Sequence, residues 1–162
     1  MSAEIEALAR DLGAQLAARG IRAATAESCT GGLVAGAITS IAGSSDWFDR
    51  GFVTYSNEAK CAMLDVPQST LRAHGAVSEA TAVAMAEGAI ARSDAAVAVS
   101  ITGIAGPGGA TPGKPVGMVC FAWARKSAPT IAATHYLHGD RAAIRSESVA
   151  IALRGLIARA CE

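Results

Sequence analysis

Residues 94–103, DAAVAVSITG, form an apolar run of strand length with no charge after Asp94. A strand with apolar side chains on both faces must be covered on both, so the run predicts an inner strand of a sheet with helices on each side. The rest of the chain supplies the partners. IRAATAES and GFVTYS read as further strands, and VGMVCFAWA and TIAATHYLH as a hairpin joined by RKSAP. Residues 3–19 repeat Ile5, Leu8, Ala9, Leu12, Leu16 and Ala17 at helical spacing, and Gly20 stops them. A second helix is expected from near Gly31 to Gly43, and a short one from Asn57 to Leu64. A long helix follows Ser78 as N-cap, and a C-terminal one starts at Asp140. No repeat or linker breaks the 162 residues, which predicts one α/β domain over 1–162 with a mixed sheet.

Aromatic residues make up only 4% of the chain, so the core is expected to be built from Ala, Val, Ile and Leu. Fourteen basic residues balance fourteen acidic ones, and no basic run occurs, which removes the electrostatic footprint of a nucleic-acid binder. Cys29, Cys61, Cys120 and Cys161 include no CxxC and no neighbouring His pair, so no metal site is expected. The first residues read as an amphipathic helix rather than a signal peptide, and the apolar stretches are too short to span a bilayer. The expectation is a soluble, cytoplasmic protein with reduced thiols and no membrane partner.

In open α/β sheets, ligands sit beyond the carboxyl ends of the strands. Three polar loops leave strand ends here: ESCTGG, YSNEAK and TGIAGPGG. If the strands are parallel, the loops share one edge. A helix opening near Gly31 would aim free N–H groups at the first loop, where an anion or a developing oxyanion could sit, with Ser28 and Thr30 as further donors. A simple helix cap is the alternative. Cys29 could act as a thiol nucleophile, but His74, His135 and His138 are distant in sequence, and an inert buried thiol is the better reading.

Ser44, Ser45, Tyr55 and Lys60 fall within one short span. A lysine can take a serine proton once desolvation lowers its pKa, and a tyrosine can orient or relay that proton. The spacings match neither SxxK nor Tyr-x3-Lys. In SITGIAGPGG the glycines miss the GxGxxG order, and GATPGKP is no Walker loop. They still permit close approach of backbone to a ligand, with Thr102 at the strand end. Arg141 and Arg145 share a helix face near its start, against the dipole's preference, which suggests an anion or a salt bridge there.

Taken together and in this order, AESCTGG, GFVTYSNEAK, GAVSE, SITGIAGPGG, KPVG and GDR resemble the CinA C-terminal domain family over about residues 4–161. The resemblance implies a three-layer α/β/α sandwich with a mixed, largely parallel sheet. It also implies homo-oligomers (a homodimer or larger) and hydrolysis of the carboxamide of nicotinamide mononucleotide, a small-molecule nucleotide, without metal or cofactor. The implied catalytic set is Ser28, Ser45, Tyr55 and Lys60, with neutral Lys60 as general base and Tyr55 positioning or relaying the proton. Ser45 is favoured as nucleophile because it shares a span with Lys60, and Ser28 would be an orienting hydroxyl; the reverse assignment stays open. Thr30, Gly31, Gly32, Thr102, Gly103 and Gly106 would line the nucleotide pocket, and Arg141 with Arg145 would neutralise its phosphate. A non-catalytic, nucleotide-sensing domain tied to competence or DNA damage is the competing reading.

Overall fold

The 94–103 run becomes β3 (Val97–Gly103), the middle strand of a five-stranded sheet in a computed structural model that describes residues 1–162. β1 (Ala23–Glu27) and β2 (Phe48–Val53) lie to one side, β4 (Met118–Arg125) and β5 (Ala128–Tyr136) to the other, in the order β2-β1-β3-β4-β5. β1 runs parallel to both β2 and β3, whereas β3–β4 and β4–β5 are antiparallel. Parallel and antiparallel pairings are therefore equal in number, which corrects the largely parallel sheet. The two-residue Lys126–Ser127 turn returns β5 antiparallel to β4, and β4 itself lies antiparallel to β3.

Alternation along β3 explains why it had to be covered twice. Val97, Val99 and Ile101 pack into one core with α1 (Ala3–Arg19), α2 (Leu33–Thr39) and α6 (Arg141–Ala160). Ala98 points the other way, into a core that includes Leu64 of α3 (Asn57–Leu64) and Met85 and Ala89 of α5 (Glu79–Ala91). Ser100, on that same face, is fully buried and donates its hydroxyl to the Ala82 carbonyl of α5 at 2.5 Å. Small residues allow close layers. A Cβ at Gly155 of α6 would lie 2.1 Å from the Trp123 indole, so only glycine lets the helix seat on that ring.

Most element ends follow their sequence signals. Gly20 closes α1 in the left-handed conformation at φ 63°, Ser78 accepts from Thr81 N–H at 3.1 Å, and Asp140 accepts from Ala143 N–H at 2.8 Å. Three differ. α2 ends at Thr39 rather than near Gly43, and a 3₁₀ turn (Ser44–Asp46) leads into β2, which starts at Phe48 rather than Gly51. A short α4 (Gln68–His74) follows Pro67.

The topology decides where function can sit. β1, β2 and β3 end together, with Glu27 opposite Val53 on one side and Ile101 on the other. β4 starts and β5 finishes at that same edge, so the first turn of α6 arrives there too. The three polar loops thus share one edge, as the parallel arrangement requires.

Candidate active site

Lys60 lies on α3, one turn after the YSN loop leaves β2, and its side chain is carried inward rather than to solvent. It is 1% exposed, and its Nζ donates to Ser28 Oγ at 3.2 Å and to the Thr54 carbonyl at 3.0 Å. No carboxylate forms an ion pair with it. Burial lowers its pKa below the usual 10.5, against weaker pulls upward from Cys29, Cys61 and Glu58. A buried amine without a counter-ion favours its neutral form. Neutral, it keeps a lone pair for the Ser28 proton.

Ser28 follows β1 directly, with its own N–H bonded to the Ile101 carbonyl of β3 at 2.9 Å. The N–H groups of the next two residues, Cys29 and Thr30, donate to no carbonyl or side chain of another residue. Burial pushes the Cys29 thiol up to about 11, with the Glu27 carboxylate adding to the rise, so this cysteine stays protonated near neutrality.

The N-terminus of α2 is already occupied. Glu27 is fully buried, and its carboxylate accepts from Gly32 N–H at 3.2 Å, Val34 N–H at 2.9 Å and Ala35 N–H at 3.0 Å. This corrects the expectation for the helix-start amides, which the chain's own carboxylate occupies, and leaves the Cys29 N–H of the loop without a partner on another residue. Gly31 and Gly32, at φ 59° and 100°, give the turn that brings the helix start back onto Glu27, and α2 has no side-chain cap of its own. Neither Glu27 nor Thr54 was singled out from sequence. The available signal for Glu27 was a lone carboxylate closing an apolar strand five residues before a helix that begins at glycine.

A cleft of about 270 Å³ opens beside Ser28, walled by Cys29, Tyr55, Gly103, Gly106, Gly109 and Arg141. Arg141 spans it, donating to the Gly106 carbonyl at 2.9 Å and to the Tyr55 hydroxyl at 3.1 Å. Tyr55 is 63% exposed and forms no hydrogen bond to Lys60 or Ser28, so its hydroxyl is tied to Arg141 rather than to the proton path. Across the cleft, the N–H groups of Ala105, Gly106, Gly108 and Gly109 make no hydrogen bond within the chain, although Ala105 and Gly106 are buried. Buried unpaired donors that border a cleft are where an anion would be held.

Several expected residues lie elsewhere. Ser45 is exposed in the 3₁₀ turn ahead of β2, at the opposite end of the strands from Ser28. Five strand steps separate the two edges, roughly 17 Å. Sharing a span with Lys60 did not bring Ser45 to it, because the intervening strand carries them apart. Arg145 donates to the Cys29 and Thr30 carbonyls at 3.1 Å each, so it braces the first loop and is not a free phosphate ligand. The Thr102 hydroxyl is given to the Ala76 carbonyl at 2.8 Å, and Thr30 is fully buried with its hydroxyl unpartnered. Neither reaches the cleft wall. Gly31 packs against Arg145, and Gly32 borders a separate apolar cavity between α2 and α6. Of the expected pocket residues, Gly103, Gly106 and Arg141 do line the cleft. No three His, Cys, Asp or Glu side chains are grouped to hold a metal ion, all four cysteines are free, and no helix is long and apolar enough to cross a membrane.

The chain is similar to nicotinamide-nucleotide amidohydrolase PncC of Escherichia coli K12, at 53% identity over 94% of this chain and 93% of that protein. A longer relative from Symbiobacterium thermophilum, named as competence-damage inducible, is 55% identical; 91% of this chain matches only 37% of it. The crystal structure of the competence/damage inducible protein CihA from Agrobacterium tumefaciens superposes with a TM-score of 0.95 at 49% identity, covering 98% of this chain and 96% of that one. The model of the CinA C-terminal domain matches residues 5–160, a span that runs from within α1 to the end of α6 and takes in the whole cleft edge: the chain belongs to the CinA C-terminal domain family.

Proposed function

We propose that this chain is a nicotinamide-nucleotide amidohydrolase that converts nicotinamide mononucleotide and water to nicotinic acid mononucleotide and ammonia, on a three-layer α/β/α scaffold. The observation that carries the reading is the buried, unpaired Lys60 with Nζ 3.2 Å from Ser28 Oγ at the mouth of a cleft. The near-full-length likeness to the E. coli amidohydrolase supports the choice of substrate.

Ser28 is the nucleophile in this reading, the reverse of the assignment that shared spacing favoured. Neutral Lys60 takes the Ser28 proton as Oγ bonds to the carboxamide carbon, and the carbonyl oxygen becomes an oxyanion. The N–H of Cys29, which walls the cleft and has no acceptor on another residue, receives it. The Lys60 ammonium then gives its proton to the leaving amide nitrogen, the C–N bond breaks, and ammonia departs. Water attacks the resulting ester with Lys60 again as base, which frees the acid and restores the serine. Arg141 and the unpaired N–H groups of Ala105, Gly106, Gly108 and Gly109 hold the phosphate, and the Tyr55 ring walls the pocket with its hydroxyl fixing Arg141. The expected homo-oligomer belongs to the same reading, since Leu33, Val53, Tyr55 and Val116 leave large apolar side chains exposed.

The test is ammonia release from nicotinamide mononucleotide compared with nicotinamide riboside and glutamine. Turnover of the mononucleotide, weak turnover of the riboside and none of glutamine is expected. Equal rates on the riboside would remove the phosphate site, and no release from the mononucleotide would leave the non-catalytic reading.

A further inference from the structure

We infer that Glu27 is a positioning residue for the reaction: its carboxylate holds the Ser28 loop at the distance from Lys60 that proton transfer needs. The inference rests on the Ser28–Lys60 reading above. Glu27 is the last residue of β1 and directly precedes Ser28. Its backbone and side chain act on the two halves of the pair separately. The Glu27 carbonyl accepts Thr54 N–H at 2.8 Å, and the Thr54 carbonyl in turn accepts Lys60 Nζ at 3.0 Å. The carboxylate reaches over the loop to the first turn of α2. The loop between them, residues 28–31, is therefore closed at both ends by one residue.

Three features argue that the carboxylate sets geometry rather than merely filling space. Both oxygens are used, one by Gly32 and Val34 and the other by Ala35, with Thr25 Oγ1 at 3.4 Å from the latter. The tie spans two consecutive left-handed glycines, whose conformational freedom would otherwise let the loop drift. Arg145 clamps the same loop through the Cys29 and Thr30 carbonyls. A loop held by an anion at its amides and a cation at its carbonyls presents Ser28 Oγ in one place. Misplacement by about 1 Å can cost on the order of 100-fold in rate.

Glu27→Gln and Glu27→Ala test this in the full chain, with kcat and KM measured per folded molecule, the pH–rate profile, and amide hydrogen exchange at Gly32, Val34 and Ala35. Glutamine keeps one acceptor oxygen but turns an NH₂ group toward an N–H. Its expected effect is a kcat about tenfold down, KM within about threefold, faster exchange at Ala35, and an acid limb at the wild-type pH. Alanine should lower kcat about 100-fold with faster exchange at all three amides. A folded Glu27→Gln enzyme with wild-type kcat overturns the inference. So does a loss of activity that only tracks loss of folded protein. A shifted acid limb also overturns it, because Glu27 would then tune Lys60 electrostatically. Should Glu27→Ala fail to fold, Glu27→Gln still decides. A wild-type chain inactive on the mononucleotide would instead fail the functional reading, with the exchange pattern still reporting on the loop.

Discussion

The two ends of the parallel strands treat charge in opposite ways. At the amino end, Asp49 sits in β2 with Arg50 Nε at 2.6 Å, Arg22 at 3.7 Å and the Asp94 N–H at 3.2 Å. Desolvation opposes its ionisation, yet these partners outweigh it and hold the carboxyl below the usual carboxylate range. At the carboxyl end, Lys60 is buried without a salt-bridge partner, and that burial lowers its pKa against weaker upward pulls from Cys29, Cys61 and Glu58. A paired charge at a sheet end ties elements together. An unpaired, desolvated one costs stability and is kept where chemistry uses it. The same contrast separates the serines: Ser45 at the amino end faces solvent, whereas Ser28 at the carboxyl end faces an amine.

The largest expected effect comes from removing the amine. Lys60→Met should lower kcat by at least about 1,000-fold, measured as ammonia release, while the melting temperature stays level or rises because a buried polar head is replaced by an apolar one of similar length. The pH profiles carry the sign. The proposed mechanism needs the neutral amine, so activity should climb as pH rises through the lowered pKa and be lost below it. Between that pKa and the ordinary 10.5 the unfolded chain binds more protons at this site than the folded one, so stability also climbs with pH across that window. Lys60→Met should flatten this contribution to the stability slope. A destabilised variant would make Lys60 a structural residue and erase the contrast between the two ends.

The serines sharpen the comparison next. Ser28→Ala should match the loss in Lys60→Met, and the double variant should be no worse than either, as expected for groups that act as one unit. Ser45→Ala should keep kcat within about twofold of wild type. A large loss in Ser45→Ala would break the division, for it would show the amino end contributing to chemistry.

What the sequence could and could not show follows the same line. The run at 94–103 placed β3, and with it the edge where three polar loops meet, because burial on both faces leaves an unbroken apolar pattern. Lys60 and Ser28 were legible as chemistry-bearing residues, but their 32-residue separation hid the contact. Ser45 misled because nearness in sequence is undone by a strand, which carries its ends apart. Glu27 was hidden for a different reason: it caps a helix from five residues upstream, outside the window in which capping patterns are read. Arg145 shows the converse, since a cation beside an expected anion site proved to bind carbonyls instead.

Arg141 also stands at the carboxyl end, and in the proposed mechanism it works through binding rather than proton transfer. Its guanidinium already holds the Gly106 carbonyl and the Tyr55 hydroxyl across the cleft, so it is in place before a phosphate arrives. Charge-assisted hydrogen bonds are worth about 1.5–3 kcal/mol, so Arg141→Ala should raise KM roughly 10- to 100-fold with a smaller fall in kcat. If kcat falls and KM does not, Arg141 would act on the reacting amide and the division of labour within the cleft would need redrawing.

The smallest effect is expected at the residue beside the nucleophile. With its thiol pushed up to about 11, Cys29 is less than about 0.1% thiolate at pH 7.5, and it is 7% exposed. In the proposed mechanism its contribution is its backbone N–H, which any residue but proline supplies. Cys29→Ala should therefore retain activity within about twofold, and iodoacetamide near neutral pH should label the exposed Cys161 well before Cys29. Loss of turnover in Cys29→Ala, with Ser28→Ala still active, would move the nucleophile by one residue. The carboxyl end would remain the reacting edge, but its chemistry would be that of a thiol.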